Sequence, residues 1–359
     1  MSHEAKIRFG FAKSATYGLI ITIILLIIAE VGLRTWAYFF REQYERYDLE
    51  SETFVLVPGE HRQGFGVITI NSTGFVGEEL QSDGPDLFRI VAVGDSCTFG
   101  DGDHETAYPA LIEKILQANF SDIGRLEVVN AGVEGHNSMM ALRRLQHNVA
   151  PLRPDVVTIY IGWNDLMKFD PLGQSADGAL SAAMRWLDNL WLTKGTRKLL
   201  FFYLRPSLYP PLTGRESFRG SFESFVPEVY EENLRAIIQT VYETGAKALL
   251  LTLPTVIRPD MSADQLSDAG VVFPYYPSAY AVGDFLDLIA AYNQVIHTVA
   301  ADTNAELVDL AEAFEDLHPP QAYFYDTMHL NKSGREVAAR LIVDHMMEHR
   351  MLPSQDPGR

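Results

Sequence analysis

The feature that most constrains the fold is an apolar run that leads into a Gly-Asp-Ser turn, at residues 88–100. Residues 90–93 are Ile, Val, Ala and Val, a pattern typical of a strand buried on both faces of a parallel sheet. Ligands bind open parallel sheets at the carboxyl ends of such strands, and Ser96 follows this end. Ser96 is therefore a candidate nucleophile. Asp95 and Ser96 are also residue types that cap helices, which is the competing interpretation.

Two further segments contain groups that acyl-transfer chemistry uses. Residues 126–135 predict a strand that ends in Asn130 and a loop with two glycines, whose N–H groups can approach a ligand closely. Residues 155–165 predict another strand followed by Asn164, whose side-chain amide can stabilise a negatively charged oxygen. Each loop is also compatible with an ordinary turn between a strand and a helix.

The fourth segment, residues 325–334, places Asp326 and His329 three residues apart before an expected C-terminal helix. A serine hydroxyl needs an adjacent base to act as a nucleophile, and the base needs an acceptor that holds its tautomer. Ser96, His329 and Asp326 are the residue types for these roles. A surface histidine in a loop is the competing interpretation of His329.

Taken together, these segments resemble the four sequence blocks of the SGNH, or GDSL, hydrolase superfamily, in the same order and at similar spacing. The resemblance covers residues 89–346. It implies that Ser96 is the nucleophile, that His329 is the base and that Asp326 orients the base. It also implies an α/β fold, a three-layer sandwich around a parallel, flavodoxin-like sheet.

The resemblance further implies an oxyanion hole. Its donors would be the Ser96 N–H, the N–H of one glycine in the second block, and the Asn164 side chain. The Asn-x-x-x-x-Gly pattern of that block favours Gly135 over Gly132 as the glycine donor.

Two residues depart from the family pattern. Cys97 stands where the short family name has Leu, and His136 stands where a small polar or acidic residue is more usual. Cys97 is the only cysteine, so an intramolecular disulfide is excluded, and we interpret it as a packing residue because no independent base accompanies it. We interpret His136 as a loop histidine bonded to backbone; contact with substrate is the alternative.

Around these segments, the sequence alternates apolar strand patterns with amphipathic helix patterns. This alternation predicts a parallel sheet with helices on both faces. The expected strands lie near 88–93, 126–130, 155–161, 247–252 and 306–309, and the expected helices near 107–119, 138–149, 228–244, 284–301 and 332–348.

A membrane anchor is expected near the N-terminus. Residues 15–33 are mostly apolar, with Thr22 and Glu30 as polar exceptions within the stretch, and long enough to span a hydrocarbon core of about 30 Å at about 1.5 Å per residue. Basic residues precede the stretch and aromatic residues follow it, as in a cytoplasmic flank and an interfacial belt. We therefore expect a single-pass cell-membrane protein with a cytoplasmic N-terminus and an extracytoplasmic catalytic domain. These flanking residues are Lys6, Arg8 and Lys13 before the stretch, and Trp36, Tyr38, Phe39 and Phe40 after it.

This stretch has two other interpretations. A cleaved signal peptide has the same charged start but needs a small-residue cleavage site, and residues 35–37 match one only weakly. A buried helix of a soluble protein is disfavoured because the stretch is apolar on all sides.

The expected domain organisation follows from these features. It comprises a cytoplasmic N-terminus at 1–14, a transmembrane anchor at 15–37, a juxtamembrane and edge segment at 38–87, a hydrolase-like domain at 88–350 and a tail at 351–359. Two insertions leave strand ends near Ser96: 166–226 is rich in Trp, Phe, Tyr and Leu, and 254–281 is rich in Pro and Tyr. Loops of this length are expected to act as lids or binding walls. The alternative is that their aromatic residues only pack the insertions themselves.

Charge and composition exclude several classes of function. The net charge of −18 disfavours binding to nucleic acid or to anionic membrane surfaces, because both require a positive footprint. The acidic run at 312–316 reads as a solvated helix face, and no metal or other cofactor is expected. The spacing of Gly94, Gly100 and Gly102 does not fit a dinucleotide-binding loop.

The function favoured by the sequence is hydrolysis of esters through an acyl-enzyme on the extracytoplasmic side, as in an esterase, a lipase or a carbohydrate O-acetylesterase. The expected partner is an ester substrate, such as an acylated carbohydrate or lipid. One alternative is an O-acyltransferase, in which a hydroxyl of an envelope or exported polysaccharide resolves the same acyl-enzyme. A second alternative is a non-catalytic component of an envelope assembly, or one that binds polysaccharide.

Overall fold

The computed structural model describes most of the chain outside the two expected insertions. The described residues are 3–40, 44–63, 66–100, 104–119, 124–168, 226–261, 265 and 282–353. The insertions at 166–226 and 254–281 lie mostly outside this part of the chain, so their role as walls of a site stays a prediction.

The N-terminal stretch forms one long helix, α1, at His3–Phe40. Within it, Thr16–Thr35 is a 20-residue segment with a mean hydropathy of 2.3, and none of it is buried. Its polar groups bond inside the helix: the Thr22 hydroxyl donates to the Gly18 carbonyl oxygen at 2.9 Å, and Arg34 bonds Glu30 at 2.7 Å. By length and composition this segment qualifies as a membrane span, as the apolar segment of a signal sequence would.

Two antiparallel hairpins follow. Strand β1 at Glu45–Asp48 pairs with β2 at Thr53–Leu56, and β3 at Gly59–Gln63 pairs with β4 at Gly66–Ile70. Val76 forms isolated bridges with both Ile70 and Asn130, so the second hairpin lies beside an edge of the central sheet.

The central sheet contains five parallel strands, and each falls within a residue or so of its expected position. These strands are β5 at Leu87–Gly94, β6 at Arg125–Asn130, β7 at Val156–Tyr160, β8 at Lys247–Leu251 and β9 at Glu306–Val308. The central strands β5, β7 and β8 are almost continuously buried, as expected of strands covered on both faces.

The strand order creates the place where a site can form. The order is β6-β5-β7-β8-β9, so β5 lies between β6 and β7. The chain leaves β5 where the order reverses, and such a reversal opens a crevice at the carboxyl ends of the strands. In register, Ala92 of β5 faces Asn130 of β6, and Gly94 faces Tyr160 of β7. The loops that follow these three strands therefore meet at one edge of the sheet.

Helices cover both faces of the sheet, which confirms the expected three-layer α/β sandwich. In the helix at 228–243, for example, Leu234, Ile237, Ile238 and Val241 are buried at helical spacing. After α1, the helices are α2 at Ser96–Phe99, α3 at Tyr108–Asn119, α4 at Ser138–Arg144, α5 at Trp163–Lys168, α6 at Glu228–Glu243, α7 at Val282–Thr303, α8 at Leu310–Glu315 and α9 at Lys332–Glu348. Helix α3 packs against α9, and α6 packs against α4 and α7.

One expected helix differs from the structure. The pattern at 138–149 predicts a continuous helix, but α4 ends at Arg144 and continues as a π-helical turn at Leu145–Val149 and a 3₁₀ turn at Ala150–Leu152. Pro151 explains the change, because it lacks the N–H that a regular helix would donate to the carbonyl of His147.

Candidate active site

Ser96 lies immediately after the carboxyl end of β5, as the first residue of the short helix α2. Asp95 caps this helix: its side chain accepts a hydrogen bond from the Cys97 N–H at 2.9 Å. The turn before it requires glycine, because a Cβ at Gly94 would lie 2.0 Å from Thr98 Oγ1 and 2.4 Å from the Tyr160 carbonyl oxygen. The backbone thus holds Ser96, half-buried, at the crevice of the sheet.

His329 and Asp326 meet Ser96 from the opposite end of the sequence. Ser96 Oγ lies 2.8 Å from His329 Nε2, although 233 residues separate them in the chain. His329 Nδ1 lies 2.6 Å from Asp326 Oδ2. The other carboxylate oxygen of Asp326 accepts the N–H groups of Met328 at 2.9 Å and His329 at 2.8 Å, which fixes the carboxylate within its own turn. The three side chains form one continuous hydrogen-bonded path.

The turn that contains Asp326 and His329 is held by the loop after β8. The Thr327 carbonyl oxygen accepts from the Thr255 hydroxyl at 2.8 Å and from the Val256 N–H at 3.2 Å. At the open side, the Tyr325 ring lies parallel to the imidazole of His329, with ring centroids 5.5 Å apart. The sequence motifs did not identify Thr255, since a threonine after a strand carries no signal of its partner 72 residues later.

The electrostatics of this path favour a basic histidine. Burial alone would lower the pKa of His329, but the hydrogen bond and negative charge of Asp326 outweigh burial, and the pKa is raised above 6.5. Burial alone would raise the pKa of Asp326, but the hydrogen bond to His329 and its charge lower it. Burial raises the pKa of Asp95 to about 6, and the negative charge of this residue also contributes to the raised pKa of His329.

The loop after β6 is locked against helix α2 through Asn130. The side-chain amide of Asn130 donates to the carbonyl oxygens of Thr98 at 2.9 Å and Phe99 at 3.2 Å, and its oxygen accepts the Gly132 N–H at 3.0 Å. A Cβ at Gly132 would lie 2.4 Å from the Phe99 backbone nitrogen, so Gly132 is a packing position. Gly135, in contrast, has a φ of +73° and open space where a Cβ would stand. The assignment of Gly135 as an oxyanion donor stays a prediction.

A buried arginine supports the same loop. Arg144 is 1% exposed, and its guanidinium donates to the carbonyl oxygens of Ala131 and Gly74, each at 2.8 Å. The guanidinium also lies over the Phe75 ring at 5.0 Å. Burial lowers the pKa of Arg144 to about 10. Local sequence patterns do not indicate this role, because an arginine at the end of a helix is usually solvated.

Asn164 lies in the first turn of α5, directly after β7. Its Nδ2 is 3.5 Å from Asp95 Oδ2, which places the amide beside the Gly-Asp-Ser turn. The next residue, Asp165, accepts the N–H of Ser138 at 2.8 Å and its hydroxyl at 2.6 Å, and so ties α5 to α4. Asp165 thus fixes the turn that contains Asn164, because its side chain is bonded to Ser138 of α4.

The two residues that depart from the family pattern lie outside the path. Cys97 packs against the core, and burial raises the pKa of its thiol well above the usual value, with the charge of Asp95 acting in the same direction. A neutral thiol is a weak nucleophile. His136 is 1% exposed, and its Nε2 lies 3.0 Å from the Phe54 carbonyl oxygen, in keeping with a loop histidine bonded to backbone.

Comparison with known proteins gives a family match and distant structural neighbours. The model of the GDSL-like Lipase/Acylhydrolase family matches residues 92–337, which is more than half of the chain. No curated protein sequence matches.

Among solved structures, Axe2, an acetylxylan esterase from Geobacillus stearothermophilus, is 19% identical over 76% of this chain and 97% of that chain, with a TM-score of 0.43. LAE5, an alpha/beta hydrolase enzyme from the metagenome of Lake Arreo, is 22% identical over 74% of this chain and 97% of that chain, with a TM-score of 0.44. The acetyl xylan esterase AlAXEase is 20% identical over 72% and 98%, with a TM-score of 0.42. These likenesses are too distant to transfer a substrate to this chain.

The matched range contains the four sequence blocks, and three of them follow neighbouring strands of the central sheet. This chain belongs to the GDSL-like lipase/acylhydrolase family and is an ester-bond hydrolase.

Proposed function

We propose that this hydrolase is a serine esterase that works through an acyl-enzyme on Ser96. The observation that carries the proposal is the hydrogen-bonded path from Ser96 through His329 to Asp326, with distances of 2.8 and 2.6 Å. A serine, a base and an orienting carboxylate in this order are the arrangement that activates a hydroxyl for attack on a carbonyl carbon. A chain that served only as a scaffold would have no need of it.

In the first step, Ser96 Oγ attacks the ester carbonyl and His329 Nε2 takes the hydroxyl proton. Asp326 accepts from Nδ1–H of the imidazole, which leaves Nε2 unprotonated and facing the serine. The same carboxylate stabilises the imidazolium that forms, which then protonates the departing alcohol. Water, activated by His329, releases the acyl group in the second step.

The negative charge on the carbonyl oxygen needs donors at the sheet edge. We assign them to the Ser96 N–H, the Gly135 N–H and the Asn164 side-chain amide. Support for Asn164 comes from its place beside the Gly-Asp-Ser turn, 3.5 Å from Asp95. Gly135 is chosen from its position in the Asn-x-x-x-x-Gly pattern, and Gly132 is a packing position beside the Phe99 backbone. Donors held in place in this way stabilise the transition state more than the substrate.

The substrate class follows from where the enzyme would act. We propose that α1 is a single-pass anchor with a cytoplasmic N-terminus, because basic residues precede Thr16–Thr35 and aromatic residues follow it. A hydrolase held at the outer face of the membrane meets esters of envelope molecules, either acylated carbohydrates or lipids. The net charge of −18 suits a domain that stays off an anionic lipid surface.

The turnover of a short-chain acyl ester by the detergent-solubilised full chain tests the assignments. Ser96→Ala should lose nearly all turnover, and Asn164→Ala should reduce kcat by about a hundredfold or more. Cys97→Ala is the matched control beside the nucleophile and should keep most of the activity. Full activity in Ser96→Ala, or loss in Cys97→Ala with Ser96→Ala unaffected, would remove Ser96 from its role.

Addition of a sugar acceptor to the same assay distinguishes acyl transfer from hydrolysis by the product formed.

The pH dependence of kcat/KM tests the base. Because His329 must be neutral to accept the proton and its pKa is raised, activity should fall as pH drops through a value above the usual range of histidine. Asp95→Asn removes a negative charge that contributes to this raised pKa, so the acidic limb should move to lower pH. Glu312→Gln removes one charge from an exposed helix face and should leave the limb in place. A limb that moves equally in both variants, or in neither, would contradict the assignment of His329.

The proposed topology is tested with reporters fused after the C-terminus of the full chain. Alkaline phosphatase folds to an active enzyme outside the cytoplasm, so its fusion should be active, whereas a green fluorescent protein fused at the same point and exported unfolded should stay dark. The opposite pattern would place the hydrolase domain in the cytoplasm.

A further inference from the structure

A second cluster of histidine and carboxylate groups lies far from Ser96, at the amino end of β9. Glu306 is the first residue of this strand, and His345 and His349 lie one turn apart at the end of α9. Glu306 Oε2 is 2.9 Å from His345 Nε2 and 2.7 Å from His349 Nδ1. Ser96 follows the carboxyl end of β5. The strands are parallel, so the two clusters lie at opposite ends of the strands.

The geometry of this cluster differs from that of an ordinary surface ion pair. The two imidazole rings are stacked, with centroids 3.9 Å apart and planes 12° from parallel, and both present a nitrogen to the same carboxylate oxygen. Three potential ligand atoms lie within 4.8 Å of one another. Tetrahedral zinc with bonds of about 2.0–2.1 Å keeps its ligand atoms about 3.3 Å apart, so small side-chain shifts would admit the ion.

The surroundings favour a cation. His349 is the C-terminal cap of α9, where the carbonyl groups of the last turn give the helix its negative end. Glu306 adds a carboxylate that is one-third exposed.

Solvent can reach the cluster from one side. The His349 side chain is 44% exposed and the His345 side chain 17% exposed. An ion can therefore enter past His349, and water can complete its coordination. Two histidines and one carboxylate are a ligand set that zinc accepts, with the fourth position left to water.

We propose that Glu306, His345 and His349 form a binding site for a divalent transition metal of the zinc type. The imidazole nitrogens that now face Glu306 would carry the metal in place of a proton, with His345 protonated at Nδ1 and His349 at Nε2. The ion would join the last turn of α9 to the first residue of β9. Its role is structural, because the site lies at the amino ends of the strands, opposite to Ser96.

This proposal revises the expectation of no metal that the sequence suggested. The His-x-x-x-His spacing places two side chains on one face of a helix, but two ligands with that spacing are common on solvated helices. The third ligand, Glu306, precedes His345 by 39 residues and reaches it only because β9 ends the sheet beside α9.

Zinc binding by the full chain tests the proposal. The detergent-solubilised protein, purified without a polyhistidine tag and stripped with a chelator, is titrated with Zn²⁺ in competition with a chromophoric chelator. Wild type should bind one equivalent, and the ion should raise Tm. His349→Ala and the nearly isosteric Glu306→Gln should each weaken that binding, on the order of a hundredfold for the lost histidine, and should abolish the rise in Tm.

Two control variants identify the site. His297→Ala removes another histidine that meets a carboxylate, Asp309, at 2.8 Å but without a second imidazole, and should bind zinc as wild type does. His329→Ala removes the histidine of the candidate active site and should also retain the equivalent. The proposal is overturned if wild type binds no equivalent of zinc, if binding survives in both His349→Ala and Glu306→Gln, or if only His329→Ala loses it.

Discussion

The close approach of backbone segments at the carboxyl end of β5 is the constraint on which the candidate site depends. Helix α2 can lie against the neighbouring loops only because Gly94 and Gly132 have no Cβ; one would stand 2.4 Å from a backbone atom at either position. Asn130 then joins helix α2 to the loop after β6, through hydrogen bonds with Thr98, Phe99 and Gly132. Ser96 is thus held by backbone packing and a buried amide rather than by contacts of its own side chain.

The two halves of the proposed machinery are supported in different ways. Ser96 is fixed by the sheet, whereas His329 and Asp326 lie in a turn whose Thr327 carbonyl oxygen is bonded by Thr255 after β8. Ser96 and His329, which are 2.8 Å apart, are therefore both positioned by loops at the carboxyl ends of central strands. Charge completes the arrangement, because the hydrogen bond and the negative charge of Asp326 raise the pKa of His329.

Much of this structure could be predicted from the sequence, for identifiable reasons. Buried parallel strands are runs of Val and Ile, so β5 and β7 stand out, and Ser96, Asn164 and the pair Asp326 and His329 each follow or precede a recognisable element. Other contacts between distant residues could not be predicted: Thr255 with Thr327, Arg144 with Ala131, and Glu306 with two histidines. Each depends on which strands become neighbours, which local patterns do not record.

The measurement that tests the central claim most directly is covalent labelling of the full chain with a serine-reactive phosphonate, located by peptide mass spectrometry. A path that activates Ser96 through His329 predicts one label, on Ser96, whose formation is greatly slowed in His329→Ala and stops the turnover of esters. Ester turnover that continues without a label on Ser96, or a label whose rate does not depend on His329, would contradict the account.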